Sequence, residues 1–337
     1  MNKTIKILIP AFGLLASLLL FSCGENKFNI DISNIELDIE IKRLDQDLLS
    51  NYPDTPDIGA LKQKYGRFLE LYSQGVISIG SIEQPAYKRM IVEFNKYCVT
   101  NGLPEKTDSV FPNLSIIRNQ LTDAFKHFKY YFPSKEAPNV YTYLSAFNQS
   151  VVTDEKIIGI GLDKYLGANC VFYKQLSWDN YKIKRMYKKM IPVDCMRAWA
   201  IMEFPYRDSV DNLLNQMVFE GKIQYFLDAM LPDTHDSLKF AYTENQLEWA
   251  NHNELKMWAY LVDSESLFTN DQLLIRKLIG DAPFTSVFQN NSAPRAGAFL
   301  GWKIVHKYME KHPEISLAQL MDNSDYQGIL NSASYRP

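Results

Sequence analysis

The stretch Met217-Val-Phe-Glu-Gly-Lys-Ile-Gln-Tyr-Phe-Leu-Asp-Ala-Met-Leu-Pro232 decides how this chain is organised. With Leu213 and Leu214 ahead of it, apolar residues recur at intervals of three and four through Leu227, the period of an α-helix. They also crowd the positions between, which marks a helix buried on nearly every side. Glu220, Gly221 and Lys222 interrupt the run. An unpaired carboxylate is costly to bury, so Glu220 needs a cation, hydrogen-bond donors or a chemical task. Lys222 and Arg295 are its candidate partners. Gly221 costs about 1 kcal/mol relative to Ala in a helix interior, and its presence implies another backbone passing close by.

That second backbone is expected at Pro294-Arg-Ala-Gly-Ala-Phe-Leu-Gly-Trp302. Gly297 and Gly301 stand four apart, on one helical face, and permit a tight crossing. Arg295 sits at the helix start, where the dipole disfavours a cation. A specific carboxylate must compensate, and Glu220 is the first choice. The two segments should therefore meet. Glu220, Lys222 and Arg295 form the candidate buried polar or interface site, with close packing at Gly221, Gly297 and Gly301. A structural ion pair is the plainest account of them.

Outward from this centre, helical periods run over Ile58–Tyr72, Ala86–Thr100 and Leu114–Phe132, with a short one at Leu44–Leu49. Gly102, Pro104, Pro112 and Pro133 punctuate them. Everything after Asp179 reads as helix. Thr243 with Gln246, and Ser316 with Gln319, match the capping box that opens a helix. The strict alternation of Asn34–Ile41 predicts a half-buried strand. Asn139–Leu144 and Lys156–Leu162, rich in β-branched and aromatic residues, predict two paired strands. The expected class is α+β, mostly α-helical with a small β-sheet. Residues 36–337 are expected to form a single globular domain or two closely packed lobes.

The N-terminus carries a separate signal. Lys3 and Lys6 precede an apolar run from Ile7 to Phe21, followed by Ser22 and Cys23. The run is short of the ~20 residues that a transmembrane helix needs, so residues 1–22 read as a lipoprotein signal peptide that is removed. Cys23 then carries the acyl chains (palmitate and its like), and residues 23–35 form a tether. The expected place is the cell envelope, lipid-anchored and periplasm-facing.

Composition sets limits on partners and cofactors. The net charge of −3, which becomes more negative when Lys3 and Lys6 leave, gives no reason to expect nucleic acid. Cys98, Cys170 and Cys195 are too few and too scattered for a disulfide framework or a thiolate metal site. One disulfide plus one thiol, or three buried thiols, both fit. The five histidines include no pair four residues apart, hence no His-Glu-x-x-His. Gly-x-Ser-x-Gly and phosphate-cradling loops are also missing. No metal and no cofactor is expected.

Weaker constellations have ordinary readings. Glu248 and His252, with Glu254, fit a solvated helix face. Asp228, Asp233, His235 and Asp236 gather at a helix end around Pro232, where such residues commonly collect. Lys182, Lys184, Arg185, Lys188 and Lys189 read as the wet side of an amphipathic helix, with an anion surface as the sharper alternative.

Several of these segments together resemble the gliding-motility lipoprotein GldB family of Bacteroidetes. The likeness runs through Met217–Pro232, Tyr242–Trp249, Asn253-Glu254 with Trp258, and Asp281-Ala-Pro-Phe284. It continues through Pro294–Gly297, Leu300–Val305, Tyr308-Met309 and Tyr335-Arg-Pro337, and upstream through Ser145–Asn148 and Ile160–Gly167. It implies an envelope lipoprotein whose partners belong to the gliding and type IX secretion machinery. A weaker likeness bears on chemistry. Glu220, Gly221 and Tyr225 resemble the helix that brings the glutamate ligand in zincin-type metallopeptidases. The helix that would supply the histidines, Val193–Phe204, contains none, so a zincin-like scaffold would here be degenerate. The expectation is a non-catalytic protein, a pseudo-peptidase at most. The alternatives are a divergent zincin-like metallohydrolase acting on envelope peptides or peptidoglycan, and a glycan- or peptide-binding module.

Overall fold

The sheet divides the hydrophobic interior in two. In the computed structural model, which describes residues 26–207 and 210–337, four strands run in the order β1 (Ile41–Arg43), β2 (Asn139–Tyr143), β4 (Ile157–Gly161), β3 (Val151–Asp154). β1, β2 and β4 are parallel and β3 is antiparallel, with Ile41 opposite Val140 and Val140 opposite Ile158. Successive side chains leave a strand on opposite faces. Tyr141, Tyr143 and Ile157 therefore enter the smaller apolar cluster, while Val140, Ile158 and Ile160 enter the larger.

The smaller cluster is closed by α1 (Leu44–Asp47), α2 (Ile58–Tyr65), α3 (Arg67–Leu71) and α4 (Tyr87–Thr100). Phe68 stacks on Tyr141 at 4.2 Å between ring centroids, the tightest ring pair of this half. The larger cluster takes in α5 (Leu103–Val110), α6 (Ser115–Tyr131), α7 (Val171–Gln175), α8 (Asn180–Ile183) and α9 (Ile191–Glu203). It is completed by α10 (Leu213–Met230), α11 (Asp236–Lys239), α12 (Glu244–His252), α13 (Glu254–Asp263), α14 (Gln272–Ile279), α15 (Ala296–Lys311), α16 (Leu317–Asp322) and α17 (Tyr326–Ala333). The class is α+β and mostly helical, with a small sheet.

α10 is the axle. From Gly221 to Met230 every residue is buried, as the apolar run requires. α15 packs along it at backbone contact. A side chain on Gly221 would collide with the Gly301 carbonyl, and one on Gly301 with the Met217 carbonyl. The expected second backbone is thus α15, through Gly301. Gly297 serves a different neighbour: its face meets Ile279 and Leu278 of α14. On the other side, rings of Phe125, Phe128, Trp199 and Phe226 interlock at 5.7–6.2 Å and tie α6 and α9 to α10.

Both capping boxes form, at Thr243–Gln246 and Ser316–Gln319. Four local expectations are corrected. Asn34–Glu40 does bury alternate residues, but its Ile39 amide bonds the Thr122 hydroxyl of α6 at 3.1 Å, and pairing with the sheet starts only at Ile41. Ile58–Tyr72 is not one helix, because Gly66 at φ 50° breaks it between α2 and α3. The chain after Asp179 is broken by loops, including residues 280–295. Lys182–Lys189 is not one helix either: Lys182 falls in α8, Lys184 and Arg185 in a turn, and Lys188 and Lys189 in a single 3-10 turn. The Met186 carbonyl accepts from the Gly167 amide at 2.8 Å and Tyr187 bridges to Leu166, which interrupts the helical period in the middle of this basic segment.

Candidate functional site

Glu220 projects from α10 toward an open cleft of about 750 Å³. Its Oε2 accepts from an Arg197 guanidinium nitrogen at 2.5 Å and from Arg295 at 2.6 Å. Arg197 comes from α9, held at this distance by the Trp199 packing. Arg295 lies just before α15 in the left-handed region, φ 53°, so its side chain turns back from the helix end. There its Nε donates to the Ile279 carbonyl at 3.2 Å, while Pro294 accepts from the Tyr242 hydroxyl at 2.5 Å. Glu220 and Arg295 are thus brought together across α10 and α15.

Two cations on one carboxylate determine its state. Burial alone would raise the Glu220 pKa. Arg197 and then Arg295 outweigh that and hold the carboxyl below its ordinary value. Burial, and then Arg197, lowers the Arg295 pKa against the pull of Glu220. The group is a fixed carboxylate between two guanidiniums, with one positive charge in excess.

Lys222 is not part of it. It points to the other side of α10, where Nζ donates to the carbonyls of Met321 at 2.9 Å and Asn323 at 2.6 Å. A lysine there completes the C-terminal end of α16, where free carbonyls favour a cation. Burial pushes its pKa down to about 8.

The sequence reading passed over Arg197. The available signal was its being the only basic residue in the largely apolar Val193–Phe204. Three residues before it, Asp194 accepts from the Tyr165 hydroxyl at 2.7 Å, and burial pushes its pKa up to about 6. The cleft wall adds Arg185, paired with Asp281 at 2.6 Å, and Lys164, whose Nζ lies 3.9 Å from the centre of the Trp178 ring. A larger hollow of about 1190 Å³ adjoins it and is lined by Lys184, Lys188, Lys189 and His235. The basic run therefore frames two hollows instead of facing water from one helix.

The other constellations resolve into structural bonds. Asp228 is buried. It accepts from Lys239 at 2.7 Å, from the Trp302 indole at 2.7 Å and pairs with His306 at 2.9 Å. His235 turns its Nδ1 to Ser237 at the start of α11, while Asp236 pairs with Lys239. His252 Nδ1 contacts the Glu248 carbonyl, not its carboxylate. Cys98, Cys170 and Cys195 are free and buried. Among the described residues no cluster of His, Cys, Asp and Glu is arranged to hold a metal, and no helix is long and apolar enough to cross a membrane. Cys23 lies outside the described residues.

The family model of the gliding motility protein GldB matches residues 25–337, nearly the whole chain. The chain belongs to the GldB family. No curated protein and no solved structure matches it. The fold explains why scattered segments carry the GldB likeness. Ser145–Asn148 wraps the buried Asp163 of Ile160–Gly167, whose carboxylate accepts from the amides of Ser145 at 3.0 Å and Phe147 at 2.6 Å. Met217–Pro232 lies on Leu300–Val305. Tyr335 donates to Glu254 at 2.7 Å and packs edge-on against Trp258. In this member of the GldB family these sequence motifs are therefore pairs of touching surfaces.

Proposed function

We propose that this GldB-family protein is a lipid-anchored envelope protein that works by binding and not by catalysis. Its site is the cleft over Glu220, and its partners belong to the gliding and type IX secretion apparatus. The observation that supports this most is the double arginine contact on Glu220. A carboxylate that ligates a metal must offer its lone pairs to the ion, and one that takes a proton in catalysis must have a pKa near its working pH. Glu220 instead has a depressed pKa and two guanidiniums on one oxygen, and Val193–Phe204, the helix beside it, contains no histidine. The surplus guanidinium charge and Lys164 suit an anionic group on the partner, such as a carboxylate.

Cells producing this protein should lose surface spreading when Arg197 and Arg295 are both changed to Ala while the variant still accumulates in the envelope. They should lose it likewise with Cys23→Ala. Normal spreading of the double-arginine variant would remove the cleft from the account. A hydrolytic activity of the purified protein that disappears in Glu220→Gln would remove the non-catalytic reading.

A further inference from the structure

The segment after the lipidation site is seated on the fold. Asn26 donates from Nδ2 to the Pro232 carbonyl at 2.9 Å, and its backbone carbonyl accepts from Asn29 at 2.8 Å. Phe28 is buried edge-on against Tyr225, 5.1 Å between centroids. Lys27 places its ammonium 5.1 and 5.0 Å from the centres of those two rings. The seat is stiff. The Tyr225 ring packs on His306 at 4.8 Å, His306 packs on Trp302 at 4.7 Å, and both His306 and Trp302 are fixed by Asp228.

Three Cα-to-Cα steps, through Gly24 and Glu25, lead from Cys23 to Asn26. At no more than ~3.6 Å per residue they reach about 11 Å. Acyl chains on Cys23 therefore enter a bilayer within that distance of the seat. We propose that the face around Asn26, Lys27 and Pro232, at the C-terminal end of α10, lies against the headgroup layer of the membrane that holds the lipid. This rests on the reading of Cys23 as lipidated. The side chains fit such a position. Lys27 offers a cation to headgroup phosphates. Tyr130 is 52% exposed, and its ring meets that of Tyr131, a neighbour of Tyr225. Exposed tyrosines of this kind concentrate at membrane–water boundaries. The opposite end of α10 is ~27 Å away, at 1.5 Å per residue. There Asp211 accepts from Gln272 at 3.0 Å, beside the exposed Leu273. That end would face away from the bilayer.

The buried native thiols make the test selective, since a maleimide dye reaches only an introduced surface cysteine. Full-length lipidated protein carrying Asp233→Cys or Leu273→Cys is labelled and reconstituted into phosphatidylethanolamine vesicles doped with a nitroxide-headgroup lipid. Quenching at position 233 should exceed that at 273 several-fold. Unseating the segment with Asn26→Ala and Phe28→Ala should level the two. Equal quenching in the seated protein, stronger quenching at 273, or a difference that survives unseating would overturn the orientation. Mass spectrometry of the N-terminal peptide separates the two readings. An unmodified Cys23 overturns the anchor and the orientation together, whereas a lipidated Cys23 with equal quenching overturns the orientation alone.

Discussion

Gly221 of α10 lies against the carbonyl of Gly301 on α15, so close that neither residue has room for a Cβ. The two most buried helices thereby touch backbone to backbone, and the approach carries Glu220 and Arg295 to the same rim of the cleft. Helix propensity alone would favour alanine at both sites by about 1 kcal/mol. Packing decides the other way, because the atoms met are backbone and cannot swing aside.

Gly221→Ala and Gly301→Ala should each destabilise the protein by roughly 2–4 kcal/mol, the upper range for overpacking a core. Gly297→Ala should cost less, since the added Cβ would meet Ile279 Cγ1 at 3.1 Å and the Leu278 carbonyl at 3.2 Å. Urea midpoints of the three variants check the order. A Gly221→Ala protein as stable as the parent would remove the close crossing.

Glu220→Ala should destabilise by about 2–4 kcal/mol, because it leaves two largely buried guanidiniums facing each other without their carboxylate. Replacing Arg197 or Arg295 singly should cost less, since the other still neutralises Glu220. The pairing also fixes a pH window. With its folded pKa depressed, Glu220 stabilises the native state fully above the ordinary carboxylate pKa of ~4.3, and this is lost as pH falls through the folded value. Acid denaturation of Glu220→Gln should therefore be shallower than that of the parent in this range. Identical profiles would count against the pairing.

Asp163 titrates in the opposite sense. Burial pushes its pKa up to about 6 against the amide bonds of Phe147 and Ser145. Between ~3.9, its unfolded value, and about 6 the native state holds a proton that the unfolded chain has released, so this group's contribution to stability declines as pH rises across that window. The decline is at most about 3 kcal/mol. Asp163→Asn should lower overall stability by loosening the 145–148 loop, yet flatten the pH dependence between 4 and 6. Melts at several pH values decide it; an unchanged slope would show that Asp163 does not carry the effect.

Much of this was legible in the sequence because it follows from local pattern. The period of Met217–Leu227, the two capping boxes and the β-branched runs at Val140 and Ile158 depend on nearest neighbours along the chain, and each forms the expected element. What failed depended on partners distant in sequence. The alternation of Asn34–Ile41 records burial on α6, which a period of two does not distinguish from pairing in a sheet. β3 went unread because its tight turn is Glu155-Lys156, with Lys156 at φ 56°, where a hairpin usually announces itself with Gly or Asn. Lys222 and Arg197 exchanged roles for the same reason. Lys222 is two residues from Glu220 and so leaves a helix on a different side, while Arg197 reaches it from a separate helix.

The central claim is that Glu220 is a carboxylate held by arginines and not a metal ligand. The most direct test is the metal content of the purified mature chain, with a thermal melt in the presence and absence of added zinc. The account predicts no stoichiometric metal and no change of melting temperature, in the parent and in Glu220→Ala alike. Bound metal at one equivalent, or a melt raised by low-micromolar zinc and restored to baseline by Glu220→Ala, would contradict it.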